Sequence, residues 1–173
     1  MKIVIFGSSG FIGKNFVQFL TERDHTVLGV DILNNKSSNS NFTHITADIR
    51  NMSFETIKAI EKFNTDLYIN LAAVTDIIGN NLGHYNSNFD LDEKLLNLIN
   101  LQKTKFIHFS SQLVQSYGTS INDSINADTF YGSSKILSEY LIKNKIPNSI
   151  ILRPTSVWGP AMGPPYRGFI NLA

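Results

Sequence analysis

The sequence predicts an α/β domain whose parallel sheet carries helices on both faces. Three observations point there. Short apolar runs of strand length alternate with longer segments in which apolar residues recur at helical spacing. The short runs are apolar throughout, as strands buried on both faces are. The chain has 173 residues, of which 42% are hydrophobic and 17% charged, a composition and length suited to one domain with its own core.

Each element follows from its local pattern. Residues 3–6 are the first apolar run, and Ile12, Phe16, Phe19 and Leu20 then recur along one helical face. Residues 26–30 form a second strand and residues 34–41 a polar loop. A third strand at 43–47 precedes a helix over 53–63, with Ser53 as its N-cap. A fourth strand covers 67–71. Residues 90–101 form a helix with Leu91, Leu95, Leu98 and Ile99 on one face. A fifth strand at 106–109, a helix over 131–145 stopped by Pro147, and a sixth strand at 149–152 complete the pattern. Beyond Leu152 prolines and glycines dominate. Residues 1–160 therefore read as the domain, and 161–173 as the start of a connector.

Composition excludes several functions. With no cysteine there is no disulfide scaffold, thiolate metal site or cysteine nucleophile. A formal charge of +1 without a basic run gives no nucleic-acid footprint. No apolar stretch approaches the length of a membrane span, and the opening apolar run is too short for a signal peptide. The expected location is the cytoplasm. His25, His44, His84 and His108 lack metal-ligand spacing, and His108 reads as a packed or edge residue of its strand.

The turn after the first strand carries the first chemical signal. Gly7-Ser8-Ser9-Gly10-Phe11-Ile12-Gly13 follows a strand and opens a helix. In such a turn one glycine permits the sharp bend, a second lets the backbone approach a pyrophosphate, and a third lets helix pack on strand. The helix N-terminus then presents N–H groups to the phosphates. Asp31 ends the second strand 18 residues past Gly13, where a carboxylate accepts both ribose hydroxyls and repels a 2′-phosphate. Neither Ile32 nor Leu33 is basic, which favours NAD over NADP. Asp48, after the third strand, suits either the adenine edge or a cap. Arg50, Arg153 and Arg167 are candidate phosphate contacts, with surface or sheet-end roles equally open to Arg50 and Arg167. Trp158 suits packing or stacking on a base.

The second signal is Tyr131-Gly132-Ser133-Ser134-Lys135. On a helix Tyr131 and Lys135 share a face. A phenol is a poor base at neutral pH. A nearby ammonium, together with a nicotinamide cation, lowers its pKa until it can take a proton from a sugar or alcohol hydroxyl. Ser110 and Ser111 end the fifth strand, at the edge where a doubly wound sheet binds ligands.

Taken together, these motifs resemble the extended short-chain dehydrogenase/reductases, the NAD-dependent epimerase/dehydratase group acting on nucleotide sugars. The resemblance runs from Lys2 to about Pro160. It adds Asp48-Ile49-Arg50, Asn70-Leu71-Ala72-Ala73, Tyr85 to Asn88, and the segment from Arg153 to Pro160. It implies a Rossmann-type doubly wound sheet with NAD as cofactor. It also implies a catalytic triad: Tyr131 as acid/base, Ser111 holding the substrate oxygen, and Lys135 binding ribose and lowering the tyrosine pKa. The cofactor residues it implies are Gly7, Ser9, Gly10, Phe11, Ile12, Gly13, Asp31, Asp48, Ile49, Leu71, Ala72, Ala73, Asn88 and Pro154, besides Tyr131 and Lys135. Asn88 would also support the active-site helix. The implied reaction is epimerisation of a UDP-sugar-like nucleotide sugar through a keto intermediate, with a homodimer as candidate assembly. The alternatives are a dehydratase, a keto-sugar reductase and a non-catalytic NAD-binding protein. Gln112 and Leu113 stand where the dehydratase subgroup has carboxylates, which disfavours that subgroup. Family members carry a substrate domain after this motif. The 173-residue chain is therefore expected to bind NAD without turning over free nucleotide sugars at a useful rate.

Overall fold

The structure is a computed structural model that describes residues 1–35, 38–75, 79–98, 105–116, 125–155 and 157. The chain runs through β1 (Lys2–Phe6), α1 (Phe11–Thr21), β2 (Thr26–Asp31), β3 (Phe42–Thr46), α2 (Phe54–Lys62), β4 (Leu67–Asn70), α3 (Asn86–Leu98), β5 (Lys105–Phe109), α4 (Phe130–Lys145) and β6 (Ile150–Leu152). The strands form one sheet in the order β3-β2-β1-β4-β5-β6, and every described pairing is parallel. This is the Rossmann-type doubly wound sheet that the sequence implies.

The apolar strands divide their side chains between two cores. From β1, Val4 and Phe6 pack with Leu28, Val30, Leu95, Leu96 and Ile142, the side covered by α2, α3 and α4. Ile3 and Ile5 point the other way and pack with Val17, Val27 and Phe42, the side covered by α1. An unbroken apolar run is what a strand needs when both its faces are covered.

Local chemistry sets the element ends. Ser53 caps α2, its hydroxyl accepting from the Thr56 N–H at 3.2 Å. Most boundaries differ from the sequence expectation by one residue, and one differs by four. β3 begins one residue earlier, at Phe42, and β4 ends at Asn70, leaving Leu71 to the following loop. The third helix starts at Asn86, not at residue 90. A short 3-10 turn over Leu82–Tyr85, capped by the Asn81 side chain, winds directly into it. Asn86, Ser87 and Asn88 have weak helix propensity and hide this start. Two further 3-10 turns lie at Ile49–Asn51 and Gln112–Val114. Ile99 and the expected last turn of that helix, Ser156, Trp158, Gly159, Pro160, Arg167 and the connector over 161–173 lie outside the described residues. Among the described residues no helix is long and apolar enough to cross a membrane.

What matters for function is the reversal of strand order. From β1 the chain builds outward to β3, then returns to place β4 on β1's other side. The loops after β1 and β4 therefore diverge at the carboxyl edge and open a crevice.

Candidate active site

The glycine turn forms one wall of this crevice. Gly7 has φ +82°, a conformation that side-chain-bearing residues rarely adopt. A Cβ on Gly13 would lie 2.1 Å from the Gly7 carbonyl oxygen, so α1 seats directly on the turn. A Cβ on Gly10 would meet only that same oxygen, at 3.4 Å, which leaves its other side open. Gly10 caps α1 with no side-chain acceptor, so the first N–H groups of the helix remain available to an anion. Phe11 and Ile12 form that first turn, and Ile12 lines the cleft.

Asp31 locks the turn to the end of β2. Its carboxylate accepts from the Ser9 N–H at 2.8 Å and from the Leu33 N–H at 2.9 Å. The Ser9 hydroxyl returns a bond to the Leu33 carbonyl at 2.7 Å. A carboxylate has about four acceptor positions, so capacity remains for ribose hydroxyls. Asp48 behaves as a cap: it accepts from the Arg50 N–H at 2.9 Å and pairs with its guanidinium at 2.7 Å. The hydrogen bonds from Arg50 hold its carboxyl below the usual carboxylate range. Arg50 is thereby engaged with Asp48, and the Ile49 side chain sits in the core.

The opposite wall comes from β4, β5 and α4. Leu71, Ala73, Ser111, Tyr131, Lys135 and Pro154 meet Ile12 in one cleft, joined by Thr75, Phe109, Ser110, Thr155 and Val157. Ala72 is partly buried against the core, and its N–H donates to Asn70 Oδ1 at 3.1 Å. Asn88 is buried and clamps three elements. Its Oδ1 accepts from the Val74 N–H at 2.6 Å, and its Nδ2 donates to the Val74 carbonyl at 3.2 Å and to Ser134 Oγ at 3.3 Å. It thus ties the loop after β4 to α4.

Ser111 and Tyr131 are brought together by close backbone packing. Ser111 caps the 3-10 turn over Gln112–Val114, accepting from the Leu113 N–H at 3.2 Å. A Cβ on Gly132 would lie 2.0 Å from the Leu113 carbonyl oxygen, so only glycine lets that turn rest on the start of α4. Thr129 caps α4, its hydroxyl accepting from the Gly132 N–H at 3.0 Å. Tyr131 is buried edge-on to Tyr85, with ring centroids 5.8 Å apart. Burial, with Tyr85 beside it, pushes its pKa up to about 12, and Ser111 acts the other way. Lys135 is 3% exposed and donates to the Phe109 carbonyl at 3.0 Å. Burial lowers its pKa, opposed by Asp92 and Glu139.

Arg153 differs from its sequence reading, His108 keeps one of its two, and two buried acids had none. Arg153 is engaged in a two-pronged pair with Glu139, at 2.9 and 2.6 Å, and is not a free phosphate contact. His108 is fully buried in a central strand, so of its two expected roles it takes packing. Asp92 and Glu139, both buried, were not singled out by sequence. Nothing in spacing marks Asp92. Glu139 lies on the Tyr131–Lys135 face of α4, a signal that could have found it. Among the described residues no cluster of three or more His, Asp or Glu could hold a metal ion.

The family model described as NAD dependent epimerase/dehydratase family matches residues 3–172. The chain belongs to this family. Solved structures agree. UDP-glucuronic acid 4-epimerase from Bacillus cereus, in complex with NAD, is 28% identical with a TM-score of 0.77, covering 92% of this chain and 58% of that one. UDP-Glc/GlcNAc 4-epimerase from Campylobacter jejuni (24% identity, TM-score 0.74) covers 88% of this chain and 52% of that one, and shares the fold. So does dTDP-glucose 4,6-dehydratase from Bacillus anthracis in complex with NAD, at 19% identity and TM-score 0.72, covering 88% of this chain and 54% of that one. The chain thus spans little more than half the length of these structures. No curated protein matches it in sequence. As a member of an NAD-dependent family it needs a dinucleotide cradle, and its residues fit one. Gly10 has an open side, α1 offers N–H groups, and Asp31 stands beyond the turn with acceptor capacity.

Proposed function

We propose that this chain is the NAD-binding part of a cytoplasmic nucleotide-sugar epimerase, of the UDP-sugar 4-epimerase kind. One observation carries the reading: Ser111, Tyr131 and Lys135 line a single cleft with Ile12 of the glycine turn, across the point where strand order reverses. The 28% identity to a UDP-glucuronic acid 4-epimerase supports it. A homodimer is the matching assembly, and the connector over 161–173 would lead on to a substrate-binding part.

In this reading the first turn of α1 holds the pyrophosphate and Asp31 the adenosine ribose. Lys135 holds the other ribose, with Leu71, Ala73 and Pro154 alongside. Bound NAD supplies a hydride acceptor and its return. Ser111 holds the sugar hydroxyl against Tyr131, which takes its proton and later gives it back. Tyr131 alone is too weak a base, because burial holds its pKa at about 12. The Lys135 ammonium lines the same cleft and would stabilise the phenolate, to which the positive charge of a bound cofactor would add. Residues Gln112 and Leu113 form the 3-10 turn after Ser111 and supply no further acid or base, which favours an epimerase over a dehydratase.

Titration calorimetry tests the cofactor half: NAD binds and NADP binds more weakly. Equal affinities remove the basis for the Asp31 role. Epimer formation from UDP-sugars tests the rest. It is expected from a longer chain and not, at useful rates, from these 173 residues.

A further inference from the structure

Behind the cleft, four elements bring polar side chains together out of reach of solvent. Asn70 ends β4, His108 lies in β5, Asp92 is in the second turn of α3, and Lys135 and Ser138 share a face of α4. None is more than 3% exposed. Asn70 organises the cluster. Its Nδ2 donates to Asp92 Oδ1 at 2.7 Å and faces His108 Nδ1 at 3.3 Å, while its Oδ1 accepts from the Ala72 N–H at 3.1 Å. An amide nitrogen has two hydrogens, and a neutral imidazole has one acceptor, so both contacts are met at once. His108 then carries its hydrogen on Nε2, which has no partner among the described residues.

Two buried carboxylates bear on the Lys135 ammonium, Asp92 more strongly than Glu139. Burial, aided by Lys135, holds His108 neutral, so its 3.8 Å approach to Asp92 is not an ion pair. Glu139, one residue past Ser138, is engaged with Arg153 and also faces Lys135. Asp92 is bonded to the Asn70 amide, has no cationic side chain within ion-pair distance among the described residues, and stands across the cluster from Lys135, beyond that distance. An ammonium buried this deeply gives up its proton unless a negative charge stands near it. Burial raises the Asp92 pKa to about 6, opposed first by Lys135, so the carboxyl is ionised at neutral pH.

We propose that Asp92 is a positioning residue of the active site: the buried counter-ion that keeps Lys135 protonated and, through Asn70, fixes the Ala72 loop beside the cleft. Its functional meaning rests on reading Lys135 as the ammonium that binds ribose and assists Tyr131. Asp92 is buried and does not line the cleft. It acts by ensuring that the cleft already holds its positive charge.

The test reads Lys135 directly. In protein labelled with 13Cε-lysine, the Lys135 resonance is identified by its loss in Lys135→Met and followed against pH. Asp92→Asn lowers its midpoint by about one pH unit or more. In calorimetry the same variant loses NAD affinity as pH rises through the Lys135 midpoint read from its own resonance, while the unaltered chain holds its affinity within about two-fold over that range. An unchanged Lys135 midpoint in folded Asp92→Asn overturns the proposal. Should that variant not fold, the unaltered chain decides. Its Lys135 resonance must respond as Asp92, followed by its own 13Cγ signal, ionises near pH 6. A Lys135 signal flat through that step also overturns it. A chain that never binds NAD yet shows the coupled titration upholds the pairing and overturns the cofactor reading instead.

Discussion

The two walls of the cleft are built in opposite ways. The glycine-turn wall uses backbone. Its donors are the first N–H groups of α1, and its one buried carboxylate, Asp31, is held by the N–H groups of Ser9 and Leu33. The tyrosine wall uses side chains. Asn70, Asp92, His108 and Lys135 come from four elements, and every one is buried. A backbone site needs space and direction, which small residues in one short segment provide. A site with buried side-chain charge needs compensation, and the compensating groups arrive from wherever the fold brings them.

Substitutions can break this contrast. The largest effect is expected on the tyrosine wall, from Tyr131→Phe in a longer, active form. Turnover falls about 10²–10⁴-fold because the proton acceptor is lost. NAD affinity in calorimetry stays within about two-fold, since the ring and its packing on Tyr85 remain. A variant that keeps most of its turnover takes the acid/base role away from Tyr131.

On the backbone wall, the matching break is Gly13→Ala. Its Cβ would lie 2.1 Å from a backbone oxygen that cannot move without lifting α1 off the turn. The expected loss is about 3 kcal/mol, a fall in Tm of about 6–12 °C for a domain of this size. Asp31→Ala should follow, weakening NAD about 10–100-fold, the worth of hydrogen bonds to a charged group, and NADP by less. If both cofactors weaken equally, Asp31 only braces the turn.

A pH series separates the walls further. Asp92 has a folded pKa of about 6, raised above its ordinary 3.8. Its contribution to stability is therefore fully present below the lower value and is lost as pH rises through about 6. Thermal unfolding should show this step in the unaltered chain and not in Asp92→Asn. The smallest effect is reserved for Asp48→Asn. Asp48 and Arg50 form an exposed pair, worth at most about 1 kcal/mol. NAD affinity is expected to stay within about two-fold. A ten-fold loss would restore Asp48 to the adenine edge.

The sequence by itself determined the sheet and the glycine-turn wall. Continuous apolar runs of strand length between turn residues fit strands covered on both faces, and Gly7, Gly10 and Gly13 sit where a turn between strand and helix needs them. These are short-range demands, written in neighbouring residues. Tyr131 and Lys135 were legible too, being one helical turn apart. Their surroundings were not. The buried face of α4 carries Tyr131, Lys135, Ser138 and Glu139 among its inward residues, a polar stripe that apolar periodicity cannot flag. Asp92 looked like any surface acid of an amphipathic helix until α3 and α4 packed together. The start of α3 was hidden for a related reason, since Asn86, Ser87 and Asn88 are poor helix formers that Asn81 and the clamp from Asn88 to Val74 and Ser134 hold in place. Tertiary structure decided which charges are buried and which partner each one meets, because desolvation and Coulomb energy depend on distance through space, and the order of residues along the chain does not set that distance.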